Sequence, residues 1–388
     1  MDPYGSERVS EPLCFLVFFR AKGAVRSLHL RRFTGSLMSS KLRHIGGFSP
    51  AARSGATRSG GHSARAELDE RLDLGGGRHV QLADVLGRGA FSTVHRGLLC
   101  SAYGVQRPVV VKLFSAVSSD EAEQVLASVV QTVRRMACVE HPNVARVYEC
   151  GEWRGRPFVV SELVSGVSLR RLQEAFASKQ RRLPLDLALF IAAEVAEGLA
   201  GARVARDHDG VQLGIVHHAL SAREVLLSWR GEVKVSDFET SVARAATSSI
   251  RSLRGVATCA TTMAPEVASG ACADARSDVF SFGVLLRELF VGPRFPASIS
   301  GSEAIRLARE GYVQPITFQP HLPAGLDRVM SRALELDPEA RFPNACALAI
   351  ELRRIVLAMG VGDGRYFLRS ALEHEWSQYA EEITAPRG

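Results

Sequence analysis

The chain has 388 residues, 46% hydrophobic and 23% charged, a composition suited to one two-lobed globular domain or two small ones. Seven scattered cysteines, odd in number and without a C-x-x-C pair, exclude a disulfide framework or a zinc site as the organising feature and fit a reducing, cytoplasmic setting. The net charge of +7 belongs to the leader: residues 1–65 hold eleven Lys/Arg against three acids, giving +8 there and −1 in the remainder, so the folded part has no bias toward polyanions.

The leader has one apolar run, Leu13 to Phe19, far shorter than the ~20 residues that cross a bilayer. Acids at Glu7 and Glu11 stand where a secretory signal carries positive charge. Residues 36–65 are rich in Ser, Gly, Ala and Arg without apolar periodicity, and such a segment cannot bury enough surface to offset its ordering entropy. Residues 1–76 are therefore read as a basic, disordered arm, with a nucleic-acid or anionic-membrane tether as the functional alternative.

From residue 77 the pattern is strand-like. "HVQLADVLGRG" (79–89) and "STVHRGLLC" (92–100) flank a glycine turn, and "RPVVVKLF" (107–114) is a buried-strand run. A helix follows, with Ser119 or Asp120 as N-cap and Val125, Val129, Val133 and Met136 at helical spacing. Strands at 143–152 and 156–164 complete a mainly β lobe, 77–162. Helical stretches at 186–205, 274–292, 325–336 and 344–360 then build a mainly α lobe, 163–357, so the fold class is α+β. In the tail, 358–388, Leu368, Leu372, Trp376 and Tyr379 form one apolar stripe that either docks on its own domain or takes a partner.

The chemistry-bearing motifs begin with "LGRGAFSTVHRG", which sets Gly87, Gly89 and Val94 in G-x-G-x-x-G-x-V spacing with Ser92 at the third glycine. Alone this is as readily a hairpin turn. Eighteen residues after Val94, Lys112 stands on a buried strand, a fixed positive charge beside backbone N–H groups of the kind a nucleotide's phosphates require. In order there follow "HPNVARVYE", "FVVSELVSGVSL", "GIVHHALSAREVLL", "VKVSDFE", "TMAPEVASG", "RSDVFSFGVLLREL" and "LDPEARF".

From about His79 to Met359 this series resembles the eukaryotic-type Ser/Thr protein kinases of bacteria, which implies a two-lobed kinase-like fold. The loop around Ser221 resembles a bacterial subgroup reading H-R-D-V-S-P-x-N. The resemblance implies that Lys112 holds the ATP α/β-phosphates, Asp237 a Mg²⁺ or Mn²⁺ ion, and Glu162 to Val164 the adenine. It further implies that Glu266 pairs with Arg341 and that Asp278 braces the catalytic loop.

The departures fall on the reacting positions. The aspartate that accepts the substrate proton is Ala219, the metal-binding asparagine is Glu224, the glycine of D-F-G is Glu239, and the arginine before the catalytic aspartate is His218. The helix glutamate that grips the lysine falls on Gln131 or Thr132, depending on whether one counts from Lys112 or from His141, and Glu123 lies ~12 Å upstream along a helix.

These losses favour a pseudokinase that regulates or scaffolds a protein partner, with ATP binding that demands a divalent cation between Glu224, Asp237 and the phosphates. The alternatives are an active kinase using His217, His218 or Glu224 as base, and a nucleic-acid or membrane-surface binder acting through the arm.

Overall fold

The computed structural model describes residues 71–89, 92–115, 119–218, 220–238, 260–296, 299–315 and 322–377, with the side chains of 119–125 outside that description. Six antiparallel strands form the first sheet: β1 (Arg71–Gly75), β2 (Arg78–Arg88), β3 (Ser92–Cys100), β4 (Gln106–Phe114), β5 (Val147–Trp153) and β6 (Arg156–Glu162), in the order β1-β2-β3-β4-β6-β5. Side chains alternate faces along a strand. Val109, Val111 and Leu113 of β4 therefore enter one core with Leu72, Val80 and Phe158. Phe114 goes to the opposite face and packs with Val159 on Val129 and Val133 of α1 (Ser119–Met136). Lys112 shares that second face by the same alternation, with Val94 and Val159 as its neighbours in register.

The sheet begins earlier than the pattern suggests. Strand β1 lies inside the segment read as arm, and Leu72 is fully buried. Its "RLDLG" alternation is too short to stand out, and Gly75, Gly76 and Gly77, all with positive φ, form the hairpin turn to β2 and not a boundary. The proposed cut at residue 77 thus severs a hairpin. A chain starting at Gly77 is expected to melt below one starting at Arg71 by several degrees, since burying one leucine is worth about 1.5–3 kcal/mol. Equal melting temperatures would show β1 to be dispensable.

The second lobe opens with a small sheet of β7 (Gly166–Ser168), β8 (Val225–Ser228) and β9 (Val233–Val235). A Cβ on Gly166 would stand 1.8 Å from the Leu227 carbonyl oxygen, so only glycine permits this pairing. Around it pack α2 (Leu169–Ser178), α3 (Leu185–Val204), α4 (Pro265–Ala268), α5 (Ala275–Phe290), α6 (Gly301–Arg309), α7 (Leu326–Ala333) and α8 (Ala345–Ala358). Helix α3 is apolar on nearly every side because it runs through the core. Asp274 and Ser277 cap α5 reciprocally and fix where it starts.

Asn143 joins the lobes. Its Nδ2 donates to Glu194 (2.7 Å) and to the Val233 carbonyl (2.9 Å), while its own carbonyl accepts from Val235 N (2.8 Å). This registers β9, and hence Ser236 and Asp237, against the first lobe.

The tail forms α9 (Gly364–Glu375) and docks on its own domain. Leu368 and Leu372 are fully buried, and the Glu375 carboxylate accepts from Lys179 (2.5 Å) and Arg181 (3.2 Å). Trp376 meets Trp229 edge-on at 6.0 Å. A Cβ on Gly364 would come 2.1 Å from the Phe190 ring, which explains the glycine at the first turn. Tyr379 lies outside the described residues. No helix among the described residues is long and apolar enough to cross a membrane.

Candidate functional site

The candidate site forms where Lys112 of β4 meets Asp237, just beyond the end of β9. Gly87 of β2 pairs with Val94 of β3, and Val94 pairs with Lys112 of β4, so the glycine turn and the lysine are placed by one sheet register. Gly89 N donates to the Ser92 carbonyl at 2.8 Å and closes the turn. Neither glycine has a positive φ, and a Cβ at Gly87 would meet nothing within 4 Å. What glycine provides there is open space beside the backbone N–H groups.

Lys112 is 5% exposed, and its Nζ lies 2.6 Å from Asp237 Oδ1. Asp237 has φ 73°, a left-handed conformation that aspartate tolerates better than most residues. At the two positions counted for the helix glutamate, Gln131 is exposed and Thr132 is half-buried on the side of α1 that carries Val129, Val133 and Met136. The geometry thus favours the count from His141. The Thr132 hydroxyl donates to the Ser128 carbonyl at 2.9 Å, a bond within its own helix.

Glu162, at the end of β6, donates its N–H to the Arg146 carbonyl (2.8 Å). Its carboxylate accepts from Arg146 N (3.1 Å) and pairs with Lys234 Nζ (3.2 Å). The glutamate therefore fastens the connection between the lobes, and Val164 follows in a half-buried stretch before β7. Glu224 accepts from the Ser221 hydroxyl at 2.5 Å, and its carbonyl takes the Ser236 N–H at 2.9 Å. Glu224 and Asp237 are thereby linked through Ser236, the residue between β9 and the aspartate.

The loop bearing Ala219 is held from below. His217 N donates to Asp278 Oδ2 at 2.7 Å and His218 N to Oδ1 at 2.9 Å. Burial pushes the Asp278 pKa up to about 7, and these two N–H bonds pull against it. The His217 ring is fully buried, hydrogen-bonds the Ser236 carbonyl through Nε2 at 2.9 Å, and packs on Phe238 at 4.5 Å. That removes it as a base for a bound substrate. His218 has φ 72°, and burial, reinforced by the Arg135 charge, lowers its pKa. An imidazole whose charged form is disfavoured thus stands where the resemblance places an arginine. Ala219 and Glu239 lie outside the described residues.

Glu266 and Arg341 form a bidentate pair at 2.7 and 2.9 Å, with the Ser277 hydroxyl also on Glu266 (2.9 Å). The arginine is 2% exposed and stacks over Phe280 at 4.8 Å.

A family model described as "Protein tyrosine and serine/threonine kinase" matches residues 80–351 of the chain. The chain belongs to the protein kinase family. The serine/threonine-protein kinase PksC of Streptomyces coelicolor is 32% identical over 290 residues, 73% of this chain and 50% of that protein. PknB of Mycobacterium leprae is 29% identical over 280 residues, 71% of this chain and 42% of that one. The tyrosine-protein kinase MasK of Myxococcus xanthus is 26% identical over 295 residues, covering 76% and 45%. The matched part is about half the length of these relatives. The PknI kinase domain of Mycobacterium tuberculosis has a TM-score of 0.52 at 23% identity, covering 72% of this chain and 96% of that one, a likeness of fold.

A kinase places Mg²⁺ or Mn²⁺ between carboxylates and nucleotide phosphates. Among the described residues no three His, Cys, Asp or Glu side chains converge as a metal cage. Two hard oxygen donors suffice when phosphates complete the shell, and Asp237 and Glu224 are chemically suited to that role. The sequence did not foresee that Lys112 and Asp237 bond directly, because the two are 125 residues apart.

Proposed function

We propose that the chain is a pseudokinase: a kinase domain that takes ATP with a divalent cation, performs no significant phosphate transfer, and acts as a regulator or scaffold for a protein partner. The observation that carries this reading is Ala219, which has no side chain able to accept the substrate hydroxyl's proton, in a loop whose neighbours are bound to Asp278. The departures at His218, Ala219, Glu224 and Glu239 belong to a lobe whose scaffold bonds, Glu266 with Arg341 and Asp278 with the loop backbone, are formed.

Nucleotide would lie between the Gly87/Gly89 turn and Lys112, with adenine against the segment from Glu162 to Val164. The cation would sit on Asp237 and Glu224, where it neutralises phosphate charge. Without it, Glu224 adds a carboxylate near the phosphates, and Asp237 holds the lysine they need.

ATP is therefore expected to raise the melting temperature only with Mg²⁺ or Mn²⁺, by roughly 5–10 °C at about a hundred times Kd. Asp237→Ala should abolish the shift, and Glu224→Gln should weaken its metal dependence. An equal shift in chelator would overturn the metal requirement. No shift at millimolar ATP with either metal would overturn nucleotide binding.

A second reading, an active kinase, is supported by the family's membership of working kinases on both Ser/Thr and Tyr hydroxyls. Turnover above about one per minute, lost in Lys112→Ala, would establish it.

A further inference from the structure

Ser221 and Glu224 are the two ends of a tight turn that leads into β8. The Glu224 N–H donates to the Ser221 carbonyl at 3.2 Å and closes the turn, while Leu220 and Ala222 are buried beside it. The Ser221 hydroxyl accepts the Arg223 N–H at 3.2 Å. That leaves its single proton for Glu224, whose Oε2 lies 2.5 Å away.

The main chain of Glu224 is tied as well. Its carbonyl accepts both the Ser236 N–H (2.9 Å) and the Ser236 hydroxyl (3.2 Å), next to Asp237. The backbone of the glutamate and one of its carboxylate oxygens are thus held by bonds that belong to the protein itself, with no ligand needed to form them.

This matters because a carboxylate stands where the family pattern has an amide. An amide offers a cation one oxygen, and a carboxylate offers two. Two oxygens on one ion suit Ca²⁺, whose shell is large and variable, whereas Mg²⁺ keeps a small octahedral shell and takes single oxygens from one or two carboxylates and from phosphates. A hydroxyl donor on Oε2 draws charge from that oxygen and fixes its direction, which disfavours the two-oxygen mode. Partners of this kind, standing behind a ligating side chain, decide how it presents itself to a metal.

We propose that Ser221 determines the cation specificity of the site: its bond to Oε2 keeps Glu224 a one-oxygen donor, and so favours Mg²⁺ or Mn²⁺ over Ca²⁺. The inference rests on the nucleotide and cation site proposed above, and adds the reason that a carboxylate in an amide's place does not turn that site toward calcium. Ser221 acts through Glu224 and is therefore a positioning residue.

Calorimetric titration of the full chain with ATP in saturating Mg²⁺, Mn²⁺ or Ca²⁺ tests it. The quantity read is the ratio of dissociation constants between cations within one variant, which a change in overall stability does not move. The native chain is expected to bind ATP at least about 10-fold more tightly with Mg²⁺ than with Ca²⁺. Ser221→Ala should narrow that preference several-fold, chiefly through tighter binding with Ca²⁺, and Ser221→Thr, which keeps the hydroxyl, should restore it. In a Glu224→Gln background, with one oxygen to offer, Ser221→Ala should leave the ratio unaltered. A merely structural hydroxyl would weaken binding with all three cations alike. The proposal alone is overturned if the native chain shows no preference for Mg²⁺ over Ca²⁺, if Ser221→Ala keeps the full preference, or if the ratio shifts equally with Gln at position 224. ATP binding that is absent with every cation, or equally tight in chelator, overturns the proposal together with the cation site on which it rests.

Discussion

Replacing Ala219 with aspartate alone is expected to leave phosphate transfer below about one turnover per minute. Ala219→Asp with Glu224→Asn and Thr132→Glu should raise it by roughly 10²–10⁴-fold or more over the starting chain. A base contributes only when nucleotide and metal are already held in line. Three of the positions at which this chain departs from that arrangement are restored together, because groups that act as a unit are not additive. Thr132 is preferred over Gln131 as the site for the glutamate because it lies on the half-buried side of α1, whereas Gln131 is exposed. A carboxylate there would compete with Asp237 for Lys112, now 2.6 Å from Asp237 Oδ1, and leave the aspartate to the metal. The measurement is transfer of labelled γ-phosphate to a protein substrate, with Lys112→Ala as the blank in each background. If the unmodified chain already exceeds that rate in a Lys112-dependent way, Ala219 is not disabling. If the triple variant binds nucleotide yet stays inert, the defect lies elsewhere.

Much of the fold could be read from the sequence wherever a long apolar period met a clear stop. The stretches at 186–205, 274–292, 325–336 and 344–360 became α3, α5, α7 and α8 within a few residues. The stripe of Leu368 and Leu372 became the buried side of α9. Short elements were the ones missed. Strand β1 offers only Leu72 and Leu74 as a pattern, and α2 and α6 are brief and largely polar.

At the site the motifs placed each residue type but not its partner. "DFE" and "VVVKLF" say that a carboxylate and a lysine are near a nucleotide cleft. Which acid holds Lys112 depends on how two lobes are registered through Asn143 and β9, and no local pattern encodes that.

The largest loss of stability from a single side chain is expected at the Glu266 and Arg341 pair. The arginine is among the largest fully buried side chains. Besides Glu266 it donates to the carbonyls of Glu335 (2.7 Å), Arg276 (3.1 Å) and Leu336 (3.1 Å). Removing one member of a buried pair typically costs about 3–5 kcal/mol, because the other is left charged and desolvated. In a domain of this size that corresponds to a fall in melting temperature of roughly 6–20 °C. Arg341→Met should fall toward the larger end of that range, since it also strands three carbonyls and the stacking on Phe280. Glu266→Gln keeps the shape but leaves the cation unpaired, and the double variant should cost less than the two singles summed.

The pH dependence carries the sign of the pair. Burial alone would raise the Glu266 carboxyl, but Arg341, with Ser277, holds it below its ordinary value of 4.5. A depressed folded value means that the stabilisation is present above about 4.5 and is lost as the pH falls through the lower, folded value. The difference in melting temperature between the native chain and Glu266→Gln should therefore be constant near neutrality and shrink in acid. A difference that persists unchanged after the carboxyl has been protonated would mean that the carboxylate charge is not what distinguishes Glu266 from glutamine here.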